Sequence, residues 1–456
     1  MRKIIHKQLR IVEPLIDHEH AQELYQIRAL ISEHPGILEL VHEDLIRGLD
    51  EPETGRMGMM TAGQVFKVML IKQMNGFSYK ALRYHLEDSR TYGWFCGFGI
   101  GEMIPSESTL QRDIKKLRPE TLEEINRIIL GAAADKKIEK GRKVRVDCTV
   151  TESNIHHPTD SSLLEDGVRV LTRLMTRAKE RFGDIDIVFT NHHRCARKRA
   201  LGILNSRKKK QTTLYRDLIN IARKTVSYAG NTAGLLESEG RKLESIAEML
   251  LARGIAEELR HFIPLVEQVI SQAERRVLLG ETLPPAEKVV SIFEPHTDII
   301  RKDRRETYFG HKLAITGGAS GLLTDLVIEK GNPADSTIAG KMITRQKDIY
   351  GRYPRQATFD GAFASRKNLA DIKTLGVKDV AFARKRGLEV SDMAKSTWVY
   401  KRLRNFRAGI EGMISFLKRC FGLGRCMWRG FESFKSYAWS SVVTANLLLM
   451  ARRLRA

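Results

Sequence analysis

The chain has little cysteine, no long apolar run and a deficit of acids. Its five cysteines, Cys96, Cys148, Cys195, Cys420 and Cys426, are scattered over 456 residues. Their number is odd and no C-x-x-C pair occurs, which argues against a disulfide framework and a cysteine-based zinc site. The longest uncharged stretch, Ser436 to Ala451, has 16 residues and contains Ser, Thr and Asn. A membrane-spanning helix wants roughly 20 mainly apolar residues. The opening Met1-Arg-Lys-Ile-Ile-His-Lys lacks the apolar centre of a secretory signal. No internal repeat or low-complexity tract is visible. Together these absences predict a reducing cytoplasm and no membrane. Acids number 55 against 77 Lys and Arg, a formal charge of +22. That imbalance points to a polyanionic partner, nucleic acid before an anionic membrane surface. The 42% hydrophobic content excludes global disorder. At roughly 150 residues per domain the length predicts two or three domains.

Residues 1 to about 135 read as helical. Val65, Val68, Met69 and Ile71 form a helical stripe that Gly76 ends, and Ser78 is a candidate N-cap for the next helix. A glycine-rich loop is expected around Gly93, Gly97, Gly99 and Gly101, followed by a helix over 106–118 capped by Ser108. The basic last helix fits a helix-turn-helix with Gln111 and Arg112 facing the major groove. A plain helical bundle that only dimerises fits equally. At Lys143 the period changes to two: Val144, Val146, Cys148 and Val150 face one way, Lys143, Arg145, Asp147 and Thr149 the other. A mostly helical segment follows to near Val290. From Arg194 to Lys224 it holds eleven Lys and Arg and one acid, Asp217. Strand signals return at Tyr308–Ile315 and Leu322–Glu329, a hairpin around Gly317-Gly-Ala-Ser-Gly321. A helix over 336–350, a strand ending at Asp360, a helix capped by Ser365, a strand at 379–383 and a last long helix from near Arg404 complete a mixed α/β order.

Asp147 and Asp360 each fall near the end of a short strand, opposite the apolar face. On neighbouring strands they would converge, and paired carboxylates need a proton or a cation between them. The bland alternative is that each caps a nearby turn. Arg407, Glu411 and Lys418 share one face of the last helix, with Ile410, Met413, Ile414 and Leu417 on the apolar side. They suit a metal ligand flanked by phosphate-binding cations, or a surface i,i+4 ion pair and nothing more. Glu389 and Glu432 are the nearest rival acids. His156-His157 and His192-His193 are adjacent pairs whose side chains diverge, and read as surface or DNA-facing. Lys208, Lys209 and Lys210, usually a solvated loop, sit in so basic a context that phosphate contact is the better reading. Trp398, Trp428 and Trp439 read as core.

The order strand-Asp, hairpin, strand-Asp, helix-Glu resembles the catalytic domain of bacterial insertion-sequence transposases of the Asp-Asp-Glu (DDE) group. The matching segments are V-R-V-D-C-T-V, A-T-F-D-G-A-F and F-R-A-G-I-E-G-M-I-S-F-L-K-R, with H-P-T-D-S-S-L-L and G-N-P-A-D-S between them. Some of these families carry Tyr-x2-Arg-x3-Glu-x6-Lys. Arg407, Glu411 and Lys418 match its last three positions, and Arg404 replaces its Tyr. The resemblance implies an α/β fold: an RNase H-like mixed sheet over 136–456, interrupted after its first strand by a basic helical insertion at about 160–290. It also implies an all-α DNA-binding domain over 1–135. The implied activity is DNA cleavage and strand transfer at the ends of the element. The implied cofactor is a pair of Mg²⁺ ions, with Mn²⁺ as a substitute, held by Asp147, Asp360 and Glu411. The implied partners are double-stranded DNA, contacted by Arg407 and Lys418, and further copies of the chain in a homodimer or larger assembly on the bacterial nucleoid. An inactive or repurposed DNA-binding derivative, or a nuclease that cuts without joining, fits the same residues.

Overall fold

The computed structural model describes residues 16–48, 59–99, 102–302, 306–384 and 386–455. The chain divides into two compact units. One comprises Met1–Thr151, Lys312–Glu329 and Pro333–Ala456; the other comprises Glu152–His311 and Lys330–Asn332. The division falls at the end of the first strand and within the third.

The first unit opens with seven helices: α1 (Glu19–Glu33), α2 (Gly36–Ile46), α3 (Ala62–Asn75), α4 (Tyr79–Asp88), α5 (Arg90–Cys96), α6 (Glu107–Lys115) and α7 (Pro119–Asp135). Thr61 and Gln64 start α3 with a reciprocal capping box, and Gly76 ends it at φ +63°. The expected stripe Val65, Val68, Met69 and Ile71 is fully buried. Each such side chain contributes about 1.5–3 kcal/mol. Ser78 caps α4 as expected. Ser106, not Ser108, caps α6: its hydroxyl accepts from the Thr109 N–H, the donor three residues on. The expected glycine-rich loop is shorter than its composition suggests, because Gly93 lies inside α5. Gly101 lies outside the described residues.

Strand β1 (Lys143–Glu152) leads to the second unit, whose helices are α8 (Asp160–Arg181), α9 (His193–Leu204), α10 (Lys208–Ser238) and α11 (Ile246–Ala273). Leu164, Leu171 and Met175 of α8, Leu218 and Ala222 of α10 and Ile255 and Leu259 of α11 form its own core. Lys208, Lys209 and Lys210 are the exposed first turn of α10 and not a loop. His193 Nε2 meets Glu165 Oε1 of α8 at 2.9 Å, a partner invisible at local spacing. Strand β2 (Asp298–Lys302) pairs antiparallel with the first half of β3 (Glu306–Gly317).

The second half of β3 returns to the first unit and pairs antiparallel with β4 (Leu323–Glu329), the expected hairpin. Its turn is seated on Glu139: the carboxylate accepts from Ser320 N at 2.8 Å and Ser320 Oγ at 2.7 Å. A Cβ at Gly318 would collide with that carboxylate, so the turn needs glycine there. Next come α12 (Ala339–Tyr350), β5 (Gln356–Phe359), α13 (Arg366–Thr374, capped by Ser365), β6 (Asp379–Phe382), α14 (Val390–Met393), α15 (Thr397–Cys420) and α16 (Phe431–Arg455). Helix α15 starts seven residues before the expected Arg404, because Ser396 caps it by accepting from Val399 N. Trp398, expected in the core, is 65% exposed on its first turn.

In the first unit β3 neighbours β1, β1 pairs parallel with β5, and β5 pairs parallel with β6. Parallel and antiparallel pairs make this a mixed sheet. Val144, Val146 and Cys148 pack with Met342 and Ile343 of α12 and Ile372 of α13. The opposite face of β1 is also buried, since Thr149 and Thr151 are 2% and 0% exposed. The strand is covered on both faces, and buried Thr151 finds a partner there: its Oγ1 donates to Leu423 O at 2.7 Å. A second core runs from α1–α7 through Leu313 and Ile315 to Ile410 and Leu417 of α15 and the length of α16. The uncharged stretch 436–451 is thus the buried spine of that core. Among the described residues no helix is long and apolar enough to cross a membrane.

Candidate active site

Two parallel strands bring the aspartates together. Val146 of β1 is in register with Phe359 of β5, so Asp147 and Asp360 follow side by side. Asp360 ends its strand as expected. Asp147 lies in the middle of its strand, because β1 runs on to Glu152. Asp360 opens the short turn Gly361–Phe363 without a side-chain capping bond, and Asp147 Oδ1 accepts from Cys148 N at 2.8 Å.

Helix α15 supplies the rest. Arg407 Nη2 lies 3.1 Å from Asp147 Oδ2 and 3.0 Å from Asp360 Oδ1. Arg407 Nη1 donates to Glu411 Oε1 at 2.7 Å. Three carboxylates, at positions 147, 360 and 411, meet on one guanidinium. The i,i+4 pair expected from the helix is real, and it is also part of this larger cluster. The side chains of Arg407 and Asp147 are 16% and 15% exposed, Asp360 38% and Glu411 65%. The cluster therefore opens to solvent on the Glu411 side, where a substrate could enter.

The helix is held against the sheet by groups that the sequence reading did not single out. Arg145, two residues before Asp147 and on the same face, donates from Nη1 to Phe406 O at 3.0 Å. Its guanidinium also lies 4.5 Å from the Phe406 ring centre, and Lys143 Nζ lies 4.0 Å from it. Burial pushes the Arg145 pKa down, which fits a cation inserted between layers. A Cβ at Gly409 would collide with the Arg145 guanidinium. The readable signal was a glycine inside a helix, between Arg407 and Glu411, which marks close approach of another group. Behind β1, Lys312 pairs with Asp335 and donates to Pro333 O at 2.7 Å, fixing the G-N-P-A-D-S segment. Burial, then Asp335, pushes the Cys148 thiol up, so this cysteine is a packing group.

The remaining candidates lie elsewhere. Lys418 is half-buried further along α15, and exposed Arg404 precedes Arg407 by one turn. Gln111 and Arg112 are exposed on α6, with Arg112 Nε on Asp113 at 3.0 Å. Of the rival acids, Glu389 precedes α14 and Glu432 pairs with Lys435 at 2.7 Å.

Asp147, Asp360 and Glu411 are hard oxygen donors of the kind Mg²⁺ takes. Among the described residues no three acidic, histidine or cysteine groups are arranged as a metal cage. The guanidinium lies between them instead. Its Nη2 contacts one oxygen of each aspartate, the position that a cation shared by both would take, so the donor set fits a divalent ion.

Two family models match the chain: "Transposase DDE domain" over residues 288–447 and "Transposase domain (DUF772)" over residues 10–116. Asp360 and Glu411 fall inside the first match and Asp147 precedes it. Gln111 and Arg112 fall inside the second. No curated protein and no solved structure matches. The mixed sheet, the helical N-terminal region and the two matches agree on an RNase H-like α/β fold. The chain belongs to the insertion-sequence DDE transposases.

Proposed function

We propose that this transposase binds the ends of its insertion sequence and catalyses metal-dependent DNA cleavage and strand transfer. The observation that carries the reading is the convergence of Asp147, Asp360 and Glu411 on Arg407. Separate strands and a separate helix supply these acids, and the uncompensated charge of the cluster is negative, which suits a divalent cation. Asp147, Asp360 and Glu411 would hold the metal. Bound Mg²⁺ supplies an acidified water or 3′-hydroxyl for attack at phosphorus and charge stabilisation for the leaving oxygen. The protein's own part is positional. The β1–β5 register sets the two aspartates side by side, and the Arg145–Phe406 contact sets the height of Glu411 above them. No side chain has to act as nucleophile, so one site can serve both cutting and joining.

DNA engagement rests on other residues. The formal charge of +22 supports binding to a polyanion. Lys208, Lys209 and Lys210 occupy the first turn of α10, where the helix dipole already favours an anion. Exposed Gln111 and Arg112 on α6 are proposed to read the element end, and Lys418 to contact the strand near the acids. Assembly as a homodimer or larger oligomer on DNA belongs to the same reading.

The test is a strand-transfer assay with a labelled element end and Mg²⁺. Asp147→Asn, Asp360→Asn and Glu411→Gln keep the shapes and remove the charges. Each is expected to abolish cutting and joining together while DNA binding persists. Glu389→Gln and Glu432→Gln are expected to retain both. Activity persisting in all three acid variants would overturn the reading. Cutting without joining by the unmodified protein would reassign it to a nuclease.

A further inference from the structure

Arg407 makes three ion pairs with the three acids that the proposed reading assigns to metal. Its Nη2 is within 3.1 Å of an oxygen from each aspartate, and a divalent ion would take the same oxygens at closer range. The two cations cannot share that place. Arg407 Nε is buried and makes no hydrogen bond, so the guanidinium is incompletely satisfied where it sits.

We infer that Arg407 is an internal counter-cation: in the DNA-free protein it offsets part of the negative charge of the acid cluster and competes directly with the divalent metal for Asp147 and Asp360. This rests on the metal-dependent reading above and adds a property to it. The two aspartates keep a cationic partner without metal, and metal loads only as the guanidinium withdraws. Arginine suits the role because its planar fork reaches three carboxylates from one helix position, where a lysine ammonium is a single point.

The experiment is a calorimetric titration of Mn²⁺ into the full-length, DNA-free chain, for the unmodified protein and for Arg407→Gln, Arg404→Gln and Asp147→Asn. Arg407→Gln is expected to bind Mn²⁺ about tenfold tighter or more, since charge-assisted contacts no longer have to be broken. Arg404→Gln removes the same charge from the same helix without vacating the aspartate oxygens, and is expected to change affinity by less than about twofold. Asp147→Asn is expected to lose the site. Thermal melts guard against misfolding: Arg407→Gln should melt lower than the unmodified protein in EDTA and gain more from Mn²⁺. Equal affinity in Arg407→Gln and the unmodified protein, with binding lost in Asp147→Asn, would overturn the counter-cation and leave the metal reading intact. So would an equal gain in Arg404→Gln, since general charge would then be the cause. Undiminished binding in Asp147→Asn would overturn the metal reading itself.

Discussion

Gly409 shows how much the site depends on single atoms. The glycine leaves room for the Arg145 guanidinium to reach Phe406 O. Gly409→Ala would ordinarily favour a helix interior by about 1 kcal/mol. Here the added methyl must displace Arg145 or lift α15 from β1. The expected outcome is a net loss of stability of about 1–3 kcal/mol in denaturant titrations, with a larger proportional loss of strand transfer, because Glu411 rides on the displaced turn. A second residue, Lys72, lies buried in α3 with its ammonium 5.0 Å from the Tyr79 ring. Burial pushes its pKa down from 10.5 to about 8. Between those values the folded chain holds fewer protons than the unfolded one, so this residue's contribution to stability rises with pH across that window. Lys72→Met should therefore stabilise the protein near pH 7, by about 1–3 kcal/mol, and its advantage should shrink towards nil near pH 10.5. Melts of both forms at pH 7, 8.5 and 10 would show this; a constant difference would mean that the ammonium is not desolvated. Asp147, Asp360 and Glu411 were legible as candidates because alternation and helical spacing are local patterns. The central position of Arg407 was not, since its two aspartate contacts depend on strand register and on how α15 lies on the sheet.

At the scale of elements, α10 sets two demands against each other. Its first turn is Lys208-Lys209-Lys210, its N-cap position is Arg207, and no side chain caps it. Cations at a helix N-terminus are unfavourable, each by a few tenths of a kcal/mol to about 1 kcal/mol. Replacing all three lysines with Ala should raise stability slightly. The same change should lower the slope of log affinity against log salt by about three, at about 0.9 per phosphate contact. Opposite signs for folding and binding would mark a turn kept for an anion; an unchanged slope would show that the turn does not touch DNA. In sequence the run weighs a solvated loop against a phosphate contact and favours the contact; that it opens a helix is not legible, because lysine clusters carry no periodicity. The sequence also suggests a start for α15 near Arg404, because the Ser396 cap is separated from the apolar stripe at Ile410–Leu417 by an exposed tryptophan and four lysine or arginine residues. The hairpin and strands β5 and β6 were legible because short runs of mainly apolar residues bounded by turn-forming glycines have few alternatives.

At the scale of the whole molecule, the N-terminal helices, among the described residues, share their core with the C-terminal helix. Leu24 and Ile27 of α1, Phe66 and Leu70 of α3 and Ile125 and Ile129 of α7 belong to one cluster with Val442, Val443 and Leu447 of α16. Polar groups tie the same layer: Asn446 Nδ2 donates to Asn126 Oδ1 at 2.7 Å and Leu323 O at 2.8 Å, and Gln73 Nε2 donates to Ser441 Oγ at 2.8 Å. A boundary near residue 135 is suggested by the change of period from helix to strand, which marks a change of element and says nothing about which cores are shared. Cores are assembled by contacts hundreds of residues apart, and a single sequence holds no local trace of them. The second unit differs, since the side chains of its core all come from residues 163–292. Two fragments separate the cases. Residues 1–135 expressed alone should lack a cooperative melt and be cut rapidly by protease, because removing α16 exposes the buried faces of α1, α3 and α7 together. Residues 152–311 should keep helical circular dichroism and melt cooperatively. If the N-terminal fragment melted cooperatively, its contacts with α16 would be an interface between finished domains and not a shared core. Residue changes in α16 would then be expected to alter activity without unfolding the N-terminal helices.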